Sequence, residues 1–142
     1  GGNCRRDVVH AACLLYRMEK LCGVIDKRRN NVNLYRELIQ AKEVFIPTCK
    51  PHEQNAFVMF IIQAKRRDKL KEFLAGRGIQ TLVYYAKALH LQPAAKQYNY
   101  KRGAFPVAEK QADEVLALPH HQYLTNDQIK FVSESINEFY QL

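Results

Sequence analysis

Ala56-Phe57-Val58-Met59-Phe60-Ile61-Ile62 runs without a polar residue. Such a run, lacking alternation, predicts a central strand covered on both faces. Downstream, Asp68 is read as the N-cap of a short helix burying Leu70, Phe73 and Leu74, closed by Gly76 and Gly78. Gln80 to Tyr85 reads as a second strand, and Val115 to Leu118 as a short third one stopped by Pro119. Between them, residues 86–102 are irregular, with one helical turn expected around Ala94 to Tyr98. Pro106 opens a helix through Glu114, because the N–H it lacks would be unpaired there anyway.

The ends of the chain carry helical periodicity. From Asp7 to Ile25, Val8, Ala11, Ala12, Leu15, Met18, Leu21, Cys22 and Ile25 recur at three- and four-residue spacing. A bend is expected at Gly23. A second helix carries Val32, Tyr35, Leu38 and Ile39, exposes Arg28 and Arg29, and ends before Pro47. At the other end Thr125-x-x-Gln128 is a capping box, followed by one apolar face of Ile129, Val132, Ile136, Phe139 and Tyr140. The pattern predicts an α+β fold over residues 1–142 as a single domain. A small, mostly antiparallel sheet of three to four strands carries helices on one side, behind long N-terminal helices.

Composition narrows the function. Hydrophobic residues make up 47% and charged residues 25% of 142, ordinary for a globular domain. No apolar run reaches the ~18 residues of a membrane-spanning helix. The chain opens Gly1-Gly2 without methionine, as a piece of a longer protein would. Cys4, Cys13 and Cys22 fall nine residues apart, so on a helix each points about 180° from the last. With Cys49 they are read as thiols in a reducing cytoplasm. The net charge of +8 is spread over Arg28-Arg29, Lys65-Arg66-Arg67 and Lys101-Arg102, on separate elements. Nucleic-acid binding wants such residues on one face, so a mildly basic surface is the favoured reading.

Five histidines, at 10, 52, 90, 120 and 121, make no metal-ligand spacing, and His120 and His121 point apart in extended backbone. No nucleophile elbow or glycine-rich phosphate loop is present. The segment after the second strand is richer, with Tyr84, Tyr85, His90, Tyr98 and Tyr100 in a short irregular stretch. Loops at strand ends commonly bind ligands, and phenols stack on sugar or base rings. Composition alone favours the alternative, that these rings pack the loop on the sheet.

Gly1-Gly2-Asn3-Cys4-Arg5, Ala11-Ala12, Arg28-Arg29, Tyr35, Gly78-Ile79, Leu89-His90, Phe105-Pro106-x-Ala108-Glu109, Leu118-Pro119 and Thr125 occur in that order. Together they resemble the C-terminal part of the DegT/DnrJ-type sugar aminotransferases, along nearly the whole chain. That resemblance implies pyridoxal phosphate as cofactor and a keto nucleotide-sugar as substrate. It implies a role in cell-surface polysaccharide or lipopolysaccharide synthesis and a homodimer in the full-length enzyme. The catalytic lysine and most phosphate ligands would belong to a large upstream domain absent from this chain, which would be inactive alone.

Residue by residue, the resemblance makes Asn3 a ligand of the neighbouring subunit's cofactor phosphate, with Arg5 beside it. It brings Tyr84, Tyr85 and His90 near the sugar-nucleotide. The family's His-Tyr-Pro-x-Pro-Leu-His stands here as Tyr84-Tyr85-Ala86-Lys87-Ala88-Leu89-His90, without its first histidine and both prolines. A stand-alone regulatory or binding module derived from the same fold is the competing expectation.

Overall fold

In the computed structural model, which describes residues 8–50 and 52–141, the apolar run leads into the middle strand of an antiparallel sheet. Strands β1 (Val44–Phe45), β2 (Phe60–Ala64) and β3 (Val115–Leu118) lie in the order β1-β2-β3. The strand expected over residues 56–62 thus lies further along the chain. Phe57 has φ 46°, a left-handed backbone that cannot join a ladder. Its amide donates to Asn55 Oδ1 at 2.7 Å, and this local turn delays extension until Phe60.

Register decides which side chains form the core. Phe60 pairs with Leu118 and Ile62 with Leu116, so these four share one face, and all are buried. Helices α2 (Leu21–Leu38), α3 (Arg67–Gly76) and α5 (Asn126–Gln141) cover that face with Val32, Tyr35, Leu70, Leu74, Ile129 and Ile136. Each buried leucine or isoleucine contributes about 2 kcal/mol of transfer free energy. Ile61 and its partner Ala117 point to the opposite face, where α4 (Pro106–Glu114) lies.

The second expected strand, Gln80 to Tyr85, is reduced to one bridge. Leu82 N–H donates to Ala117 O at 3.1 Å and Ala117 N–H to Leu82 O at 2.8 Å. Left-handed backbone at Gly78 (φ 75°) and Tyr85 (φ 59°) bounds the extended stretch on both sides.

Helix α3 starts at Arg67, behind Arg66 in left-handed backbone (φ 56°), with no side-chain cap. Asp68, expected as the cap, instead lies in the first turn and accepts from Arg67 Nε at 2.7 Å. Its charge still complements the positive helix end. The far end closes at the expected glycines: Gly78 N–H donates to Ala75 O at 3.0 Å and Ile79 N–H to Leu74 O at 2.9 Å. This 6→1 and 5→2 pair is a Schellman motif. The capping box of α5 forms both its bonds, Gln128 N–H to Thr125 Oγ1 at 3.2 Å and Thr125 N–H to Gln128 Oε1 at 3.0 Å.

The N-terminal helices divide differently from the expected bend at Gly23. α1 (Val8–Glu19) ends before Lys20, and α2 then runs through Gly23 without a break. Every residue of α1 is exposed, its apolar stripe included. None of the described helices is long and apolar enough to cross a membrane.

Much of the arginine charge is used inside the fold. Arg67, 7% exposed, donates to the carbonyls of Ala112 and Val115 at 3.3 and 2.9 Å. Arg29 and Arg36 hold the loop before β2 through the carbonyls of Asn55 (3.0 Å) and Pro47 (2.8 Å). Arg66 stacks over Phe139, 4.8 Å from the ring centroid.

Candidate functional site

After the Leu82 bridge the chain leaves the sheet and makes two 3₁₀ turns, Leu89–Leu91 and Pro93–Tyr98, before reaching α4. A cavity of about 370 Å³ opens between this segment, α4 and the outer sheet face. Ile61 and Val115 form its floor, Ala108, Gln111 and Ala112 one wall, and Tyr84, Tyr85, Lys87, Ala88 and Leu89 the other. Tyr84 also lines a second, larger cavity of about 560 Å³ running toward His120, His121 and α5. Tyr84 is thus common to the linings of both cavities.

Tyr85 carries the local strain. An aromatic residue at φ 59° is uncommon, and such backbone costs about 1–2 kcal/mol. The kink leaves the side chain 78% exposed at the cavity mouth. The phenols offer stacking faces and hydroxyls over an apolar floor, and Lys87 adds an exposed ammonium. That combination suits a ring bearing an anionic group.

His90 lies elsewhere. Its side chain is 8% exposed, and Nε2 stands 2.9 Å from Glu109 Oε1. Phe105 packs 4.8 Å from its ring centroid and Tyr100 at 6.5 Å. The fold thus brings Tyr84 and Tyr85 together on the cavity and turns the His90 imidazole inward. Asn3 and Arg5 lie outside the described residues.

Glu109, 7% exposed, also accepts from Gly103 N–H at 2.8 and 2.9 Å and from Phe105 N–H at 3.2 Å. The Gly103 amide is the main reason its carboxyl sits below the usual range. Burial opposes that shift, and Phe105 and His90 reinforce it. Lys87 and the hydrogen bonding of Glu109 were not singled out by the sequence reading. Lys87 had a signal, its place between the two substituted prolines; Glu109 was visible only as part of a motif.

Every lysine of the chain is exposed. A lysine that holds an aldehyde as a Schiff base needs a lowered pKa, which comes from desolvation or a neighbouring cation. The described residues do not by themselves fit pyridoxal phosphate, and no catalytic step is assigned to them. Among the described residues no group of three or more His, Cys, Asp or Glu converges as a metal site.

Residues 1–137 match the model of the DegT/DnrJ/EryC1/StrS aminotransferase family. The chain is 37% identical over 144 residues to a pleiotropic regulatory protein of Geobacillus stearothermophilus, covering 99% of this chain and 39% of that one. It is 31% identical over 140 residues to dTDP-3-amino-3,4,6-trideoxy-alpha-D-glucose transaminase of Streptomyces venezuelae, covering 98% and 37%. Among solved structures, S. venezuelae DesV superposes with a TM-score of 0.90 at 29% identity, covering 100% of this chain and 38% of that one. The chain therefore spans less than two fifths of the length of each of these proteins.

Proposed function

The chain belongs to the DegT/DnrJ/EryC1/StrS aminotransferase family, and from that premise we propose that it is the C-terminal small domain of an enzyme aminating a keto nucleotide-sugar. The observation that carries this reading is the pair Tyr84 and Tyr85 on a cavity between sheet, loop and α4. Their rings supply stacking surface to a sugar or base, and their hydroxyls hydrogen-bond its polar rim. Lys87 offers a counter-charge to an anionic group such as a diphosphate. His90 lies behind the cavity wall, where its bond to Glu109 holds the Leu89–Leu91 turn.

Held in the complete enzyme, pyridoxal phosphate would supply an electrophilic aldehyde for amino-group transfer. Its covalent anchor belongs to a large domain outside this chain, a reading supported by the exposure of every lysine here. On the family resemblance, Asn3 and Arg5 are assigned to binding the cofactor phosphate of the neighbouring subunit in a homodimer. Alone, the chain carries out no turnover. The full enzyme works in the cytoplasm, in cell-surface polysaccharide or lipopolysaccharide synthesis.

The complete enzyme tests the wall directly. Tyr84→Ala and Tyr85→Ala raise KM for the nucleotide-sugar about tenfold and leave KM for the amino donor unchanged. Equal rises in both constants would remove the tyrosines from the sugar site. Borohydride trapping of pyridoxal phosphate on one defined lysine of this chain would overturn the division of labour.

A second reading, a non-catalytic regulatory module on the same fold, takes support from the regulatory name of the G. stearothermophilus relative. It predicts a full-length protein in which neither tyrosine substitution changes any transamination rate.

A further inference from the structure

Glu109 is a nearly buried carboxylate that the cavity does not use. It rises from the first turn of α4 into the irregular segment, where three donors converge on it. His90 Nε2–H reaches Oε1 at 2.9 Å, Gly103 N–H reaches both oxygens at 2.8 and 2.9 Å, and Phe105 N–H reaches Oε1 at 3.2 Å. Arg102 Nε stands 3.9 Å from Oε2 and also pairs with Asp113.

Two of these donors are local, four and six residues away. His90 is nineteen residues away, in the turn that follows Tyr84 and Tyr85. One side chain therefore ties the tyrosine-bearing loop to the helix that forms the cavity's other wall. Besides this tie the loop has its own short-range turn hydrogen bonds, the buried Ala88 and the packing of Phe105 and Tyr100 on His90. Its last sheet bond is at Leu82, and Tyr85, Asn99 and Gly103 all have positive φ. Ala86 and Ala88 leave both residues' φ free, where proline would restrict it.

Ionised, the carboxylate accepts only, which matches a surround of N–H groups. An amide in its place would turn an NH₂ toward those donors.

We infer that Glu109 is the positioning residue of the substrate loop: it clamps the Leu89–Leu91 turn to α4 through His90 and so sets where Tyr84 and Tyr85 stand over the cavity. It touches no substrate and acts through the loop. The inference rests on the reading that this loop faces the nucleotide-sugar.

The test compares wild type, Glu109→Gln and His90→Leu in the complete enzyme. Amide hydrogen exchange reads the clamp, and separate KM values for nucleotide-sugar and amino donor read its consequence. In Glu109→Gln, exchange at Gly103, Phe105 and the 89–91 turn quickens about tenfold or more, while β2 is unchanged. KM for the nucleotide-sugar rises about tenfold, with kcat and the amino-donor KM within about twofold. His90→Leu shows the same pattern at smaller amplitude, since the two amide contacts remain.

Unchanged exchange would overturn the clamp. Faster exchange with an unaltered sugar KM would leave the contact standing and overturn the loop's place at the sugar. Equal rises in both KM values would indicate general loosening and overturn the positioning role. If Glu109→Gln does not fold, His90→Leu carries the same comparison.

Discussion

The phenol of Tyr35 donates to the carbonyl of Pro119 across 2.9 Å, joining the last turn of α2 to the residue just after β3. The ring is 0% exposed and stacks on Phe60 with centroids 5.0 Å apart. Burial pushes the phenol's pKa well above its ordinary value, so the group remains an O–H donor. Tyr35→Phe keeps the stack and leaves the Pro119 carbonyl without this partner. The expected loss is about 1–3 kcal/mol in urea unfolding; an unchanged midpoint would mean that water replaces the hydroxyl.

Gly78 isolates the cost of backbone conformation. Its φ is +75° at the end of α3, and a Cβ built there meets nothing within 4 Å. Gly78→Ala should therefore destabilise by about 1 kcal/mol through left-handed strain alone. A loss several times larger in thermal unfolding would point to a hidden steric contact.

Thr125→Ala removes the side-chain half of the α5 capping box and leaves the Gln128 amide unbonded. About 1 kcal/mol of stability should disappear. Thr125→Ser restores most of it, because the hydroxyl survives. Equal stability of all three proteins in chemical denaturation would show that the box adds nothing.

His120 gives stability a pH dependence of known sign. Its ring lies near Phe57 and Phe60, at centroid distances of 6.4 and 5.9 Å. Burial holds its pKa below the ordinary histidine value, and the charges of Arg28 and His121 add to this, against a weaker opposing pull from the Phe57 backbone. The folded state therefore resists the proton that the unfolded chain accepts. Stability is complete above the ordinary histidine range and falls as pH drops through it toward the folded pKa. His120→Phe should flatten that part of the stability–pH curve; an identical slope in both proteins would show that His120 is not responsible.

Glu109 acts in a lower window. Its carboxyl is held below the usual range chiefly by the Gly103 amide, with the Phe105 amide and His90 adding to this and burial opposing it. The clamp's stabilisation should be complete above the ordinary carboxylate range and decline as pH falls through it toward the lowered folded pKa. Protection of Gly103 and Phe105 against exchange, corrected for the intrinsic rate at each pH, reads this directly; protection that stays constant through and below that range would contradict it.

Short-range signals were enough for several elements. Pro106 starts α4, Val115–Leu118 is β3, Gly78 closes α3 and Thr125 with Gln128 caps α5, all as read from the residues. At the helix ends the deciding partners lie within about five residues, so the amino-acid order contains the whole interaction; β3 was legible from its short apolar run before Pro119, although its ladder partners lie on β2. The motifs that mark the family were legible for the same reason, being strings of neighbours.

Tertiary structure decided the rest. The start of β2 depends on a left-handed Phe57 held by Asn55 and flanked by arginines from α2. Lys20, not Gly23, separates the first two helices. His90 turned inward because a carboxylate nineteen residues away was there to accept it, and Tyr35 found its acceptor eighty-four residues away. Sequence periodicity shows which face of an element is apolar. Which distant donor meets which acceptor is settled only when the packed elements bring them within bonding distance.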